Sequence, residues 1–338
     1  MGIILIKHFF NLLISFWVLT IFTFVLAHFF PQGVSFIFEP LTDPSLAQDT
    51  PTNIIELTIQ LSQSYYYYLN QIFSGQLGFS SVRGTSVFEE FFIYFPATLE
   101  LSITAMIFAL GLGLPLGIIA AKQKNLWQDK LIVSTTLFGY SMPIFWWAML
   151  LVMLFSLLLG ISPVASRIGF EYDIHPITGF MLIDTLLSKQ PYATEAFYSA
   201  LNHLILPSVV LGTVPLAIIT RTTRSSMIDA LAQDYIRSAK SRGLSLTRVL
   251  FKHAFRNAMI PILTILGLQV TLLLTGSLIT ETIFSWPGAG KWLLEAVYRR
   301  DFPVIHGGIL AIASFVILTH LLLDLILTYV DPHLRRQQ

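Results

Sequence analysis

Few side chains in this chain have the types and spacing to bind or transform a solute. Glu100 and Glu281 stand at the ends of strongly apolar stretches. A carboxylate there is costly to bury and needs a partner. That partner is either a cationic group of a solute lining up in a cavity or the donors of nearby loops, and both readings stay open. His320 and Asp324, four residues apart near the end of the last apolar stretch, share a helix face. They read as a structural hydrogen-bonded pair or as a proton relay. The string "PGAGKW" at 287–292 imitates part of a phosphate-binding loop. Such a loop needs a glycine where this chain has Ser285 and a hydroxyl residue where it has Trp292, which rules against nucleotide binding there. Trp286 and Trp292 are expected instead to anchor a membrane interface around a turn at Pro287–Gly290. The eight histidines offer no helical ligand pair with a third ligand, and cysteine is absent. No metal site, cofactor, disulfide or cysteine nucleophile is expected.

The densest charge lies in "DYIRSAKSRGLSLTRVLFKHAFRN" at 234–257, where Arg237, Lys240, Arg242, Arg248, Lys252 and Arg256 interrupt a charge-poor chain. At about 100° per residue, Ile228, Leu231, Ala232, Tyr235, Ile236 and Ala239 fall on one stripe roughly 140° wide, with Arg237 opposite. Gly243 follows the last turn, where helices often end in a left-handed residue. Ser245 is placed to cap a second short helix. The expected element is a pair of helices bent at Gly243, apolar beneath and basic outside. It suits a solvated loop on anionic lipid and equally a docking element for a cytosolic protein. The pattern alone names no partner.

The elements that must position these residues follow from composition. The chain has 338 residues, 54% hydrophobic and only 12% charged, with a mean hydropathy of +0.71. Soluble domains carry about a quarter charged residues, and the apolar runs here are long enough to cross a hydrocarbon core of roughly 30 Å. Six spanning helices are read at 9–30, 97–121, 131–162, 203–220, 258–280 and 304–329. Helices are the natural solution because backbone groups in lipid must pair internally. Pro143 predicts a tilt or kink in the third span, and the first span reads as an uncleaved anchor. One face collects Lys7, the lysines of 122–130, every Lys and Arg of 221–256, and Arg335 with Arg336. The other holds only Arg83, Arg167, Lys189, Lys291, Arg299 and Arg300. By the positive-inside rule both termini are cytoplasmic. The outer side then carries an insertion at 31–95, with the aromatic cluster "SYYYYLNQIFSGQLGFSS", long enough for a small subdomain or a cap. A second outer loop, near 163–202, contains "HPITGFMLIDTLL", which reads as a short interfacial helix.

Several strings together resemble a known family. "DYIRSAKSRGL", "HAFRNAMIPILTILGLQV" and "ITETIFSWPGAGKWLLEAV" are similar to the inner-membrane permease subunits of ABC importers for dipeptides, oligopeptides and nickel, within them the B-type dipeptide permeases. "GQLGFS" at 75–80, "PATLEL" at 96–101, "GYSMPIFWW" at 139–147, "TGFMLIDT" at 178–185, "LPSVVLGTVPLAIITRTTRSSM" at 206–227 and "YRRDFPVIHGG" at 298–308 extend the likeness, in family order, over almost everything beyond residue 75. Upstream, "FPQGVSFIFEPLTDPS" departs from the family's usual "P-G-D-P" continuation. The resemblance implies an all-α polytopic membrane protein with the type I, MetI-like permease fold. It implies a bacterial inner-membrane location, a second homologous permease subunit, two ATP-binding subunits, an extracytoplasmic substrate-binding protein and a peptide substrate. It does not point to nucleic acid. The family's cytoplasmic motif runs Glu-Ala-Ala, three residues, Gly, nine residues, Ile-x-Leu-Pro. Here Gly243 takes the glycine position and Ala239 the second alanine. Arg237 and Ser238 fill the first two places, so the acid is absent, and Phe255 with Arg256 stand where Leu-Pro would fall. By resemblance, Tyr235, Ile236, Arg237, Ala239, Lys240, Arg242, Gly243 and Leu244 form the ATPase-coupling surface.

The expected organisation is an N-terminal membrane helix at 1–30, an extracytoplasmic insertion at 31–95, a permease core at 96–330 with coupling helices at 222–257, and a cytoplasmic tail at 331–338. The chain itself is expected to catalyse nothing, ATP hydrolysis being left to its partners. Relatives of the same kind carry haem, antimicrobial peptides or nickel complexes, which stay open as substrates. An ion-coupled carrier is the rival from another class. It would place ionisable groups at mid-membrane, whereas Glu100, His306, His320 and Asp324 all fall near the ends of spans. An intramembrane hydrolase would need a nucleophile with its base, and none is found.

Overall fold

A computed structural model describes residues 2–29 and 54–330. The first part of the insertion and the tail with Arg335 and Arg336 lie outside the described residues. Among those described the fold is all helical, with a single bridge pairing Phe79 and Ser86 and no strand. Helices run as α1 Gly2–Phe29, α2 Ile54–Phe73, α3 Val87–Lys122, α4 Trp127–Ser141, α5 Ile144–Leu151, α6 Met181–Leu187, α7 Ala193–Leu231, α8 Asp234–Ser241, α9 Phe255–Ile283, α10 Ala289–Arg299 and α11 Phe302–Val330. A π-helical stretch, Val152–Leu158, prolongs α5, and another, Val249–Ala254, leads into α9.

Five of these helices are long and apolar enough to cross a membrane, and the α4–α5 pair makes a sixth if counted as one span. That pair refines the expectation at Pro143. The two helices meet at 106°, a sharp corner rather than a tilt. Met142 is extended, with φ −80° and ψ 136°, as a residue before proline prefers. α7 is far longer than the 203–220 stretch and keeps Pro207 and Pro215 buried within it. Proline is tolerated there because neighbouring helices and side chains serve the freed carbonyls. α3 starts at Val87, well ahead of the apolar run, with Glu89 and Glu90 in its first turn and Lys122 in its last. Those charges suit the helix dipole at both ends.

The chain divides into two compact units, one of residues up to Pro96 with Gly288–Leu321, the other of Ala97–Pro287 with the residues from Leu322. In the second unit Ala97, Leu101, Ala105, Leu204, Leu211, Leu273 and Trp286 form one buried cluster. In lipid, apolar surface alone drives little association, so close approach of backbones decides the packing. α3 and α7 achieve it through glycine. A Cβ on Gly117 would lie 2.5 Å from the Thr223 Cβ, and one on Gly212 would lie 2.7 Å from the Ala105 carbonyl oxygen. Gly117→Val is therefore expected to cost about 1–3 kcal/mol through overpacking, read as a lower melting temperature of the purified protein. Gly111→Ala, where a Cβ meets nothing within 4 Å, is the matched control and should leave the melt unchanged.

Candidate functional site

The basic stretch folds as two short elements, with differences from the helical projection. α7 runs on to Leu231, the chain breaks at Ala232–Gln233, and α8 starts afresh at Asp234. One helix from Ile228 through Arg242 is thus corrected to two, because the Ala232 and Gln233 N–H groups turn back on the last carbonyls of α7. Of the projected stripe, Ile236 and Ala239 are buried, Ile228 and Leu231 are half-buried, and Ala232 and Tyr235 are exposed. Ile236 and Ala239 seat α8 in a cluster with Ile118, Ala121, Met227, Ala230, Val249, Leu250, Ala254, Ala258 and Ile262, with Leu244 packed at its edge. The Tyr235 hydroxyl accepts a hydrogen bond from Asn257 Nδ2 at 2.7 Å. Arg237 is exposed and, among the described residues, pairs with exposed Asp234, 3.4 Å away, and Arg242 is exposed as well. Lys240 lies within α8.

Gly243 has φ +73°, the left-handed conformation that glycine adopts without strain. The Leu244 N–H reaches back to the Ala239 carbonyl at 3.3 Å, which closes the end of α8. Ser245 occupies the cap position of the turn Leu246–Arg248, but its side chain makes no capping bond. The predicted side-chain cap is thus absent, and the turn is held by the Val249 N–H donating to the Ser245 carbonyl.

Beside this element lies a clamp that no local pattern announced. Arg224 near the end of α7 donates from Nε and Nη2 to the two oxygens of Asp129 on α4, at 2.5 and 2.8 Å. Asn125, with φ +67°, donates its N–H to the same carboxylate at 2.8 Å. Planar two-point pairing fixes direction as well as distance, so α4 and α7 are held in register next to α8. The one sequence signal was a lone acid at the start of an apolar helix.

Glu100 and Glu281 are both buried within the second unit, 4% and 0% exposed. Glu100 pairs with Arg167 at 2.5 Å and accepts the Leu182 N–H at 2.8 Å. Arg167 also donates to the Gly179 carbonyl and lies over the Trp286 ring. Glu281 accepts from Thr98 and Ser277 at 2.7 and 2.8 Å. Their oxygens face protein donors, joining "PATLEL" to the outer loop on one side and to the end of α9 on the other. Trp286 and Trp292 are corrected. Both are buried, 1% and 2% exposed, and neither anchors an interface. Each indole N–H finds an acceptor inside its own unit, Trp286 on the Ala97 carbonyl and Trp292 on Glu90.

The first unit has a polar knot that sequence reasoning missed. Glu90 accepts from Trp292, Arg83 and Thr85, and Asp301 accepts from the Ser80 hydroxyl and the Ser81 N–H. Partial burial opposes the Arg83 charge, but Tyr94, Glu90 and Glu295 outweigh it and hold the guanidinium above its ordinary value. The knot joins "GQLGFS" to "YRRDFPVIHGG", two strings separated by most of the chain.

An all-helical membrane scaffold, internally satisfied carboxylates and an exposed basic element seated on the helix ends describe a transport component rather than an enzyme. The model of the inner membrane component of binding-protein-dependent transport systems matches residues 113–336. The chain belongs to that family, the membrane permeases of ABC transporters, which are not themselves catalytic. It is 47% identical over 326 residues to the di/tripeptide transport system permease protein DppB of Pseudomonas aeruginosa, covering 96% of each chain. It is 48% identical over 279 residues to the dipeptide transport system permease protein DppB of Escherichia coli K12, covering 82% of this chain and 81% of that one. The putrescine export system permease protein SapB of the same strain is 39% identical over 272 residues, covering 80% of this chain and 85% of its own.

Proposed function

We propose that this chain is a transmembrane subunit of an ATP-driven importer of dipeptides and other short peptides. It forms the translocation path with a second, related permease subunit. Two cytosolic ATPases serve the pair of permeases, one of them docking here on the element at 235–244, where Tyr235, Arg237 and Arg242 face outward and Ile236 and Ala239 seat it from beneath. An extracytoplasmic binding protein delivers the substrate. Both termini lie in the cytoplasm. The observation that carries this reading is the seating of α8. Its apolar side is buried against the ends of α3, α7 and α9 while Arg237 and Arg242 face outward. A push on the exposed side is thereby delivered to three helices at once. ATP-driven closure of the ATPases displaces α8, and the path opens to alternate sides because substrate and ATPases favour different states.

The substrate class rests on the names of the most similar relatives. The likeness to a permease named for putrescine export favours one further reading, a small polyamine as solute. Reconstitution in proteoliposomes tests both points. Labelled dipeptide should accumulate only when sister permease, ATPases, binding protein and ATP are all present. Uptake by the chain alone would overturn the subunit reading. Accumulation of putrescine but not dipeptide by the complete assembly would overturn the substrate.

A further inference from the structure

We propose that residues 54–79 form a re-entrant segment that dips into the bilayer and presents Tyr66 and Phe73 to lipid acyl chains. α1 provides the ruler, since its apolar window runs Phe9–Ala27. The Tyr68 hydroxyl donates to Thr23 Oγ1 at 2.8 Å, and the Tyr65 hydroxyl shares a 2.8 Å hydrogen bond with Thr20. The Phe24 ring lies 5.3 Å from that of Tyr65 and 5.6 Å from that of Tyr68. Further along α2, the Phe73 ring lies 6.3 Å from that of Phe16. Phe16 is eleven residues inside the Ala27 end of the window, which at 1.5 Å per residue is about 16 Å, near the middle of the hydrocarbon core.

The turn that follows is built for such a depth. The Ser74, Gly75 and Gln76 N–H groups bond to the carbonyls of Asn70, Ile72 and Gln71. This leaves few donors for a medium that offers no water. Gly75 at φ +77° makes the reversal, and the chain then packs on Gly307 of α11. A Cβ there would lie 2.7 Å from the Leu77 carbonyl oxygen. From Ser80 the chain meets Asp301, at the polar end of α11. The segment therefore descends as a helix and climbs back as irregular chain with a second positive-φ glycine, Gly78.

Two further observations select lipid as the occupant of the outward face. No charged residue or histidine occurs between Glu56 and Arg83, which a water-exposed helix has no reason to avoid. Tyr66 and Phe73, seven residues apart and so on one face, are each 75% exposed, with the uncharged amides of Gln63 and Asn70 exposed beside them. Which leaflet they enter follows from the orientation proposed above. The insertion itself does not depend on the peptide reading.

The chain has no cysteine, so single-cysteine variants carry a fluorescent label cleanly. In the assembled transporter in lipid nanodiscs, a label at Phe73→Cys should be quenched several-fold more by acyl-chain nitroxide lipids than by iodide. A label at Gln60→Cys should show the reverse. Tyr66→Cys is the second reporter if Phe73→Cys folds poorly. Iodide quenching at 73 and 66 as strong as at 60 would overturn the proposal, by placing α2 in water. So would protection of both positions from both quenchers, by assigning the face to a protein partner.

Discussion

Arg167→Met is expected to destabilise the protein by about 3–5 kcal/mol, the cost typical of stranding one charge of a buried ion pair. Glu100 would keep only the Leu182 N–H as a donor, and the outer loop would lose its tie through Gly179. Glu100→Gln should cost less, because Arg167 retains the Gly179 carbonyl and the face of Trp286. The double variant should recover part of the loss. A double-mutant cycle on thermal unfolding of the purified protein isolates the coupling between the two side chains. Additive single losses would mean that the pair contributes nothing beyond its separate contacts. If Glu100 instead served a passing solute directly, Glu100→Gln would abolish transport without moving the melt.

Gly243→Val is expected to uncouple ATP hydrolysis from transport while the protein still inserts and folds. The position has open space around it, so the penalty is backbone strain and not a clash. A side chain in the left-handed region costs roughly 1–2 kcal/mol, and a β-branched one lies at the upper end. That is enough to shift the population of the bent element roughly 5–30-fold. Gly243→Asn, which tolerates this conformation, should retain most transport. Peptide accumulated per ATP hydrolysed, measured for Ala, Asn and Val at this position, should fall in the order Asn, Ala, Val. Equal ratios in all three would remove the bend from the coupling path.

The spans were legible because a long apolar run has few alternatives in lipid, and the basic element because its period and terminal glycine are local. α9 and α11 lie within three residues of where hydropathy put them, whereas α1 starts seven residues earlier and α7 runs ten residues or more beyond its expected span at each end. Glu89 and Glu90 hid the true start of α3, since two carboxylates look like the end of an apolar run. Glu90 is in fact buried with Trp292, Arg83 and Thr85 as its donors. The two tryptophans were misplaced for a related reason. Hydropathy measures the wish to leave water, but it does not say whether the apolar surroundings are lipid or protein.

By itself, then, the sequence determined an all-helical membrane chain, its charge asymmetry, the amphipathic element before Gly243 and the family to which these strings belong. Only the tertiary structure decided that Arg167 meets Glu100, that Arg224 clamps Asp129, that Ser80 bonds Asp301, and that Phe73 lies beside Phe16. The division has a physical basis. Helix formation and membrane insertion are settled within a few turns of chain by backbone pairing and transfer energy. Ion pairs and close glycine contacts between distant segments depend on how the helices are finally packed, which no local period records.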